Sequence, residues 1–355
     1  MKKIRVIGAG LAGSEAALTL ASLGQPVILI DMKPGRMTPA HRSEKLGELV
    51  CSNSLKSLQD FTATGLQKKE LELLNSQLLS IAMKHRVPAG NALAVDREAF
   101  SEEITRLIID NPLIEYEEAY LESLPDDDLI TIVATGPLTG DQLFASIQEK
   151  LAEESLYFYD AVAPIVSFES INMDVAYKKS RYDKGTADYI NCPMDKETYQ
   201  AFYEELIKAD LADLEDFDRK LVFEGCMPIE AMARRGEDTL RFGPMKPVGL
   251  TNPHTGERPY AVVQLRQEDS YASMYNLVGF QTRLKFPEQK RIFRMIPGLE
   301  KAEFLRYGVM HRNTYIASDH ELEATFRLKS DLSWWGKANP ILLIICAGIA
   351  GYVIY

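Results

Sequence analysis

The sequence has few cysteines for its length. Only four occur in 355 residues, and these are Cys51, Cys192, Cys226 and Cys346. None stands in a CxxC pair, and no His or Cys lies at the spacing of zinc ligands, so the sequence predicts no metal site. Widely scattered cysteines indicate reduced thiols and therefore a cytoplasmic protein.

The sequence has fewer basic residues than acidic ones. Forty Lys and Arg residues face 51 Asp and Glu residues, which gives a net charge of −11. The protein is therefore not basic overall, and any nucleic acid would have to bind a local patch. The start Met-Lys-Lys, followed by apolar residues, resembles a signal peptide. Three glycines interrupt that stretch and Glu15 follows, so a strand and a loop are the better interpretation.

The N-terminal residues form a pattern typical of a βαβ unit. A buried strand is predicted at Ile4–Ile7, a helix at Ser14–Leu23 that ends at Gly24, and a second strand at Pro26–Ile30. The hydrophobic content of 46% is typical of a globular α/β protein with one large core or two domains.

A glycine-rich loop joins the first strand to the helix. Its predicted cofactor-binding residues are Gly8, Ala9, Gly10, Leu11, Ala12 and Gly13. Gly8 permits the tight turn, Gly10 lets the backbone approach a pyrophosphate, and Gly13 lets the helix pack closely on the strand. The N–H groups at the start of the helix favour phosphates.

An acidic residue ends the second strand of this unit. Asp31 lies 23 residues after Gly8, where a carboxylate accepts hydrogen bonds from ribose hydroxyls and repels a 2′-phosphate. This favours FAD or NAD over NADP as the bound nucleotide.

Further elements follow along the chain. Apolar residues recur at helical spacing from Leu66 to His85, and a buried strand is predicted at Leu129–Ala134. The composition changes near residue 170, and a helix from Glu197 to Leu211 follows Asp195, which is a predicted cap. We therefore predict an inserted domain at about 171–300.

Two cysteines lie in predicted loops, where functional side chains are often displayed. Cys51 stands in Leu-Val-Cys-Ser-Asn-Ser, and Cys226 in Phe-Glu-Gly-Cys-Met-Pro, near Arg234 and Arg235. A thiolate is a good nucleophile where cations lower its pKa. The residues alone favour the alternative of a buried, inert thiol, and Cys192 and Cys346 are assigned to that class.

Long stretches of the chain resemble the TrmFO (Gid) family of folate- and FAD-dependent tRNA uracil-5-methyltransferases. They include VIGAGLAGSEAA, ELVCSNSLKS, ALAVDREAFS, YFYDAVAPIV, FEGCMPIEAMARRGEDTLRFGPMKPVGL and the region around VMHRNTYI. The resemblance runs from Met1 to Ile316. It implies an α/β fold: a Rossmann-like FAD-binding domain of the GidA/glutathione-reductase type with an inserted α+β domain.

The resemblance also implies a reaction and its partners. A one-carbon unit passes from methylenetetrahydrofolate to C5 of a uridine in the tRNA T-loop, with FAD taking part and NAD(P)H as reductant. It implies that Cys226 is the nucleophile and that Cys51, near the flavin, removes the C5 proton, although these two roles could be exchanged. Its domains would be 1–170, FAD-binding; 171–300, tRNA-binding; 301–316, a return to the first domain; and 317–355, a tail.

Basic residues of the inserted segment are candidate tRNA contacts. They are Arg234, Arg235, Arg241 and Lys246, with a second cluster at Lys285, Lys290, Arg291 and Arg294. Ordinary surface charge is the alternative for each. His311 and Arg312 lie in a late motif that we expect to fold back toward the flavin, and a structural role is the alternative for both.

The tail departs from the family after Ile316. An uncharged stretch of 16 residues, Pro340 to Tyr355, follows Trp334, Trp335 and Lys337. It is short for a membrane span, so a membrane partner is not expected. Attachment to a membrane through residues 340–355 stays an alternative. Three interpretations compete: a divergent final strand, a membrane anchor, or a truncated gene. Two other functions also stay open: a non-catalytic flavin- or RNA-binding remnant, and a flavin NAD(P)H oxidoreductase.

Overall fold

A computed structural model describes residues 2–38, 40–151, 156–212, 227–315, 322–325, 327 and 342–344, called the described residues below. Their strands form four sheets, two large and two small. The helices are α1 Leu11–Ser22, α2 Ala63–Leu73, α3 Gln77–Lys84, α4 Arg97–Ile109, α5 Asp141–Leu151, α6 Lys196–Lys208, α7 Ile229–Ala233, α8 Thr239–Phe242 and α9 Phe286–Phe293.

A parallel sheet carries the N-terminal motif. Its strands are β1 Ile4–Ile7, β2 Val27–Asp31, β6 Ile114–Glu118, β7 Thr131–Val133 and β16 Leu342–Ile344, in the order β16-β7-β1-β2-β6. Every neighbouring pair is parallel. The predicted strand–helix–strand order is confirmed. Helix α1 begins at Leu11, directly after Gly10, whereas the prediction placed its start at Ser14.

The stretch predicted as one helical run from Leu66 to His85 forms two helices. The chain turns at Asn75, whose φ is +56°, a conformation that Asn adopts more readily than most residues. Ser76 then caps α3 by accepting a hydrogen bond from the Leu79 N–H. Glu15 of α1 accepts hydrogen bonds from the Gln77 and Leu78 N–H groups. Apolar spacing continued across the break, so it concealed the turn.

Two small antiparallel sheets flank the parallel one. The first joins β3 Ser54–Ser57, β4 Arg86–Val87 and β5 Ala92–Val95 in the order β3-β5-β4. The second pairs β8 Leu156–Ala161 with β15 Met310–Tyr315, and in its register Asp160 lies opposite His311. This pairing brings together residues that are 151 positions apart in the chain.

The second large sheet is antiparallel. Its strands are β9 Ile165–Ser167, β10 Tyr177–Lys178, β11 Ile190–Met194, β12 Ala261–Gln267, β13 Met274–Leu277 and β14 Phe304–Arg306, in the order β10-β11-β12-β13-β9-β14. Helix α6 begins after Asp195, which accepts a hydrogen bond from the Thr198 N–H at 2.8 Å, so the predicted cap is confirmed. The helix ends at Lys208 rather than Leu211.

Separate hydrophobic cores lie against the two large sheets. One packs Val6, Leu29 and Ile132 against Ala17 and Ile104 of helices α1 and α4. The other is built from large side chains of the second sheet and its helices, such as Tyr199, Phe202, Tyr275 and Phe293. The second sheet spans residues 165–306, slightly wider than the predicted insert of 171–300. The division into 1–170, 171–300, 301–316 and 317–355 stays a prediction.

Part of the predicted tail belongs to the first sheet. Leu342–Ile344 pairs in parallel with Thr131–Val133, and Leu322 is buried with Ile7 and Val133. These contacts favour the interpretation of a divergent final strand for the described part of the tail. In the part of the chain that the structure describes, no helix is long and apolar enough to cross a membrane.

Candidate active site

The glycine loop packs tightly on one side and is open on the other. A Cβ at Gly13 would lie 1.7 Å from the Gly8 carbonyl oxygen, and one at Gly8 would lie 2.6 Å from that of Ala134. Gly8 also has a φ of +98°, which L side chains rarely adopt. A Cβ at Gly10 would meet nothing within 4 Å. The loop therefore leaves room for a ligand at Gly10.

Asp31 is fixed beside this loop by backbone groups. Its two carboxylate oxygens accept hydrogen bonds from the Ala9 N–H at 2.5 Å and the Lys33 N–H at 2.9 Å. Gly8, Ala9, Gly10 and Asp31 line a cleft at the carboxyl ends of β1 and β2. Leu11 and Ala12 do not line it, and the Ala12 side chain is buried in the core.

The other walls of the cleft include polar side chains. Thr135, Thr139 and Gly140 form one of them. Lys33 and Glu48 form another, and their buried side chains make an ion pair of 2.6 Å. Burial, and next the charge of Lys33, lower the pKa of His41, which also lines the cleft.

These residues fit a dinucleotide such as FAD. Gly10 leaves open the space that a pyrophosphate needs, α1 points its N-terminus at that space, and Asp31 provides the carboxylate for a ribose. Gly8, Ala9, Gly10 and Asp31 are therefore the residues that would hold the cofactor, while Gly13, which does not line the cleft, allows α1 to pack closely against Gly8.

Cys51 lies a short distance along the chain from this cleft. The Gly47 N–H donates a hydrogen bond to the Ala9 carbonyl at 2.9 Å, and Glu48 lines the cleft. Three residues later, the Cys51 thiol donates a hydrogen bond to Asp160 Oδ2 at 3.2 Å. The cofactor loop and the thiol are thus joined by one short, anchored segment.

Asp160 and His311 complete a group around the thiol. The Cys51 sulfur lies 3.9 Å from His311 Nε2. Asp160 is 1% exposed, and its Oδ1 accepts a hydrogen bond from the Ala161 N–H. Burial, and to a lesser extent the charge of Arg306, lower the pKa of His311, while Asp160 opposes them. The imidazole is therefore neutral near pH 7.

Arginine side chains hold the backbone of the Cys51 loop. Arg97 donates hydrogen bonds to the Leu49 and Cys51 carbonyls at 2.7 and 3.2 Å. Arg306 donates to the Val50 carbonyl at 3.1 Å, and burial lowers its pKa to about 10. The Arg306 guanidinium stays positive at neutral pH, and positive charge near a thiol favours its thiolate.

Cys51, Asp160 and His311 are also metal-ligating residue types. Their ligand atoms lie within 4.8 Å of one another, and this is the one such group among the described residues. Sequence spacing did not indicate it because the members are far apart in the chain. The positive charge of Arg306 beside the group opposes a bound dication and favours proton chemistry at the thiol.

Known proteins with this sequence pattern define the family. The family profile described as glucose inhibited division protein A matches residues 3–335. Proteins named methylenetetrahydrofolate--tRNA-(uracil-5-)-methyltransferase TrmFO are 59% identical over 350 residues in Acetivibrio thermocellus and 56% identical over 356 residues in Lactobacillus helveticus. Each alignment covers 99% of this chain, and 79% and 85% of the respective relative. The chain belongs to the GidA/TrmFO family.

A solved GidA structure agrees with this assignment at the level of fold. The Aquifex aeolicus GidA structure matches 99% of this chain and 60% of its own length, with a TM-score of 0.67 and 14% sequence identity. The predicted α/β fold class is confirmed. The similarity to TrmFO proteins also continues past Ile316, since the profile reaches residue 335 and the alignments cover nearly the whole chain.

The four cysteines have different positions in this GidA/TrmFO chain. Cys51 stands in the thiol group just described. Cys192 is fully buried in the second core, and burial raises the pKa of its thiol, which agrees with its assignment as inert. Cys226, the predicted nucleophile, and Cys346 lie outside the described residues.

The basic residues predicted to contact tRNA differ in their surroundings. Arg234, Arg235 and Lys246 are exposed. Arg241 forms an ion pair with Asp238 at 2.5 Å, and its guanidinium lies 3.6 Å from the centre of the Tyr260 ring. Its charge is therefore partly satisfied within the protein.

Sequence reasoning missed several residues of the thiol site. Asp160 and Arg97 lie inside stretches that match the TrmFO family, YFYDAVAPIV and ALAVDREAFS, but no local pattern marked either as functional. Arg266, which donates to Asn53 Oδ1 and Ser52 Oγ, was missed as well. Asp160 could not be assigned to the site without knowing that β8 pairs with β15, which places Asp160 opposite His311.

Proposed function

We propose that this protein is an FAD-dependent methylenetetrahydrofolate–tRNA (uracil-5-)-methyltransferase that forms 5-methyluridine in the T-loop of tRNA. The observation that carries this proposal is a thiol hydrogen-bonded to a buried carboxylate, on a segment that also lines a dinucleotide cleft. The relatives that bear this name are 52–59% identical to the chain. We propose a cytoplasmic location for the same reason.

The reaction requires two separate steps at the uracil ring, which are addition of a thiolate at C6 and removal of the proton at C5. C5 of uracil is a poor nucleophile, and a thiolate that adds at C6 converts the ring into an enolate that attacks an electrophilic methylene. We assign this addition to Cys226. The proton at C5 must then leave before the C6–sulfur bond breaks.

Cys51 is suited to removing that proton. As a thiolate it takes the proton and becomes a thiol, which is the state in which it donates a hydrogen bond to Asp160. Asp160 can then accept the proton and restore the thiolate. Arg97 and Arg306 hold the loop and favour the negative charge. When bound, FAD supplies the electrons that reduce the transferred carbon to a methyl group, with NAD(P)H as the proposed reductant.

The exposed cations of the inserted segment are proposed tRNA contacts. Arg234, Arg235 and Lys246 are exposed to solvent, so their positive charges are accessible to the phosphates of a bound tRNA. Arg241 is a weaker candidate because of its ion pair with Asp238. A local patch of this kind is required in a chain whose net charge is −11.

The test is an assay of the purified chain with FAD, NADPH, methylenetetrahydrofolate and an unmodified tRNA transcript. We expect 5-methyluridine to form, and Cys51→Ala and Cys226→Ala to abolish it. Cys192→Ala is the matched control, because its thiol is buried away from the cleft. Cys226→Ala should also abolish the covalent adduct with 5-fluorouracil RNA.

Two outcomes would contradict the proposal. A colourless protein that stays colourless after FAD is added would support a non-catalytic remnant. A yellow protein that oxidises NADPH without methylating tRNA, while the Acetivibrio relative works in parallel, would support a flavin oxidoreductase.

A further inference from the structure

Three aromatic rings form a column at one end of the second sheet. The ring centres of Phe304 and Tyr307 are 5.4 Å apart with planes 12° apart, and those of Tyr307 and Phe286 are 4.8 Å apart with planes 18° apart. The inner end of the column contacts Phe293, which is fully buried in the core. The column is therefore anchored at one end.

The outer end of the column reaches solvent. Phe286 is 51% exposed, and it is the first residue of α9, with Pro287 directly after it. A single exposed Phe requires no explanation. This ring, however, is held in place by a parallel ring beneath it and by the start of a helix, so a flat ligand could bind it without ordering it first.

Unpaired positive charge stands beside Phe286. Of the second basic cluster predicted from the sequence, Arg291 pairs with Glu205 and Glu288, and Arg294 donates to the Ala302 carbonyl. The remaining members, Lys285 and Lys290, are exposed and form no ion pair with any described residue. An anionic ligand is therefore favoured near the exposed ring.

The residue before Tyr307 connects the column to the thiol loop. Arg306 immediately precedes Tyr307, and its guanidinium donates a hydrogen bond to the carbonyl of Val50, the residue before Cys51. Tyr307 of the column is therefore the direct chain neighbour of a residue that holds the thiol loop.

We propose that Phe286, backed by Tyr307 and Phe304, is a stacking platform for an unpaired base of the tRNA substrate. Lys285 and Lys290 contact the phosphates of the same segment. This inference rests on the proposed function. Loop bases of RNA bind proteins by stacking on aromatic rings. An enzyme that extracts a target base also leaves its neighbours unstacked, and these need a new partner.

The test compares substitutions at Phe286 by their dissociation constants for unmodified tRNA. We expect Phe286→Ala and Phe286→Leu each to weaken binding about 5- to 150-fold, the range of base–aromatic stacking, and Phe286→Trp to bind as well as the wild type or better. Phe61→Ala is the matched control, because Phe61 is 80% exposed and lies outside the column. Flavin content and melting temperature verify that each variant is folded.

A second measurement tests the cations. Lys285→Gln and Lys290→Gln should each make the slope of log Kd against log salt shallower by about 0.7–0.9. The inference is overturned if Phe286→Ala binds like the wild type, or if Phe286→Leu retains full affinity, since a Leu side chain packs but does not stack. A wild-type protein that binds no tRNA would instead contradict the proposed function.

Discussion

Asp160 is the residue whose position changes the interpretation of the site most. Its side chain is buried, accepts the Cys51 thiol proton in a hydrogen bond, and is fixed by the Ala161 N–H. Burying a carboxylate costs free energy unless hydrogen bonds replace those it made with water. Here it can act as the acceptor for the proton that Cys51 takes from the substrate.

The first prediction is that Asp160→Asn lowers the rate of 5-methyluridine formation by about 10²- to 10⁴-fold, the usual contribution of a proton-transfer group. Asn can still accept the thiol hydrogen bond, but it cannot take up the proton. The covalent adduct with 5-fluorouracil RNA should still form, since it does not depend on this step. Asp174→Asn, at an exposed position, is the control. Unchanged turnover in Asp160→Asn would remove Asp160 from the reaction.

The second prediction concerns pH and His311. Burial holds its pKa below the ordinary value of 6.5, so the unfolded chain binds this proton more readily than the folded one. The stability that results is complete above pH 6.5 and is lost as pH falls below it. Melting temperatures between pH 7.5 and 5.5 should therefore fall less in His311→Asn than in the wild type. Equal slopes would show that His311 titrates normally.

At the scale of elements, caps determine where helices begin. Asp195 starts α6 and Ser76 starts α3, each through a hydrogen bond to an N–H in the first turn. The first was readable from sequence, because Asp195 stands just before a periodic apolar stretch. The second was not, because the apolar spacing continued from α2 into α3 across Asn75.

The third prediction is that Asp195→Ala destabilises the protein by about 1 kcal/mol, the ordinary value of an N-cap. Asp195→Asn keeps an acceptor oxygen and should cost much less. Urea unfolding measures the difference, and hydrogen exchange at Thr198 should accelerate only in the Ala variant. The reverse order of the two variants would mean that charge rather than the hydrogen bond supports the helix start.

At the scale of the whole molecule, one buried ion pair connects the two large sheets. Arg97 begins α4, which packs in the first core, and Glu268 directly follows β12 of the second sheet. Their side chains meet at 2.7 Å, and that of Glu268 is 2% exposed. The same arginine holds the Cys51 loop, so this contact links the relative position of the sheets to the geometry of the thiol.

The fourth prediction is that Arg97→Met destabilises the protein by about 3 kcal/mol, near the lower end for breaking a buried pair, since Arg266 stays near Glu268. Lys69→Met, which breaks the exposed pair with Glu72, should change stability by less than about 1 kcal/mol. Unfolding midpoints in urea provide the comparison. Similar effects of the two variants would mean that the buried pair does not join the sheets.

The local parts of the fold and site could be predicted from sequence. The βαβ unit, the glycine loop, Asp31 and the α6 cap depend on contacts between residues close in the chain, where spacing and residue type carry the information. Resemblance to known proteins added Cys51 and the reaction class. The predicted roles of Cys226 and of the basic residues stay predictions.

The tertiary structure decided everything that depends on distant residues meeting. Asp160 reaches Cys51 only because β8 pairs with β15, Arg97 reaches Glu268 only where the two sheets meet, and Phe286 stacks on Tyr307 across a helix and a turn. None of these contacts leaves a periodic trace in the sequence. The amino-acid order by itself thus determined the cofactor loop, and the packing of the folded chain determined which side chains surround the thiol.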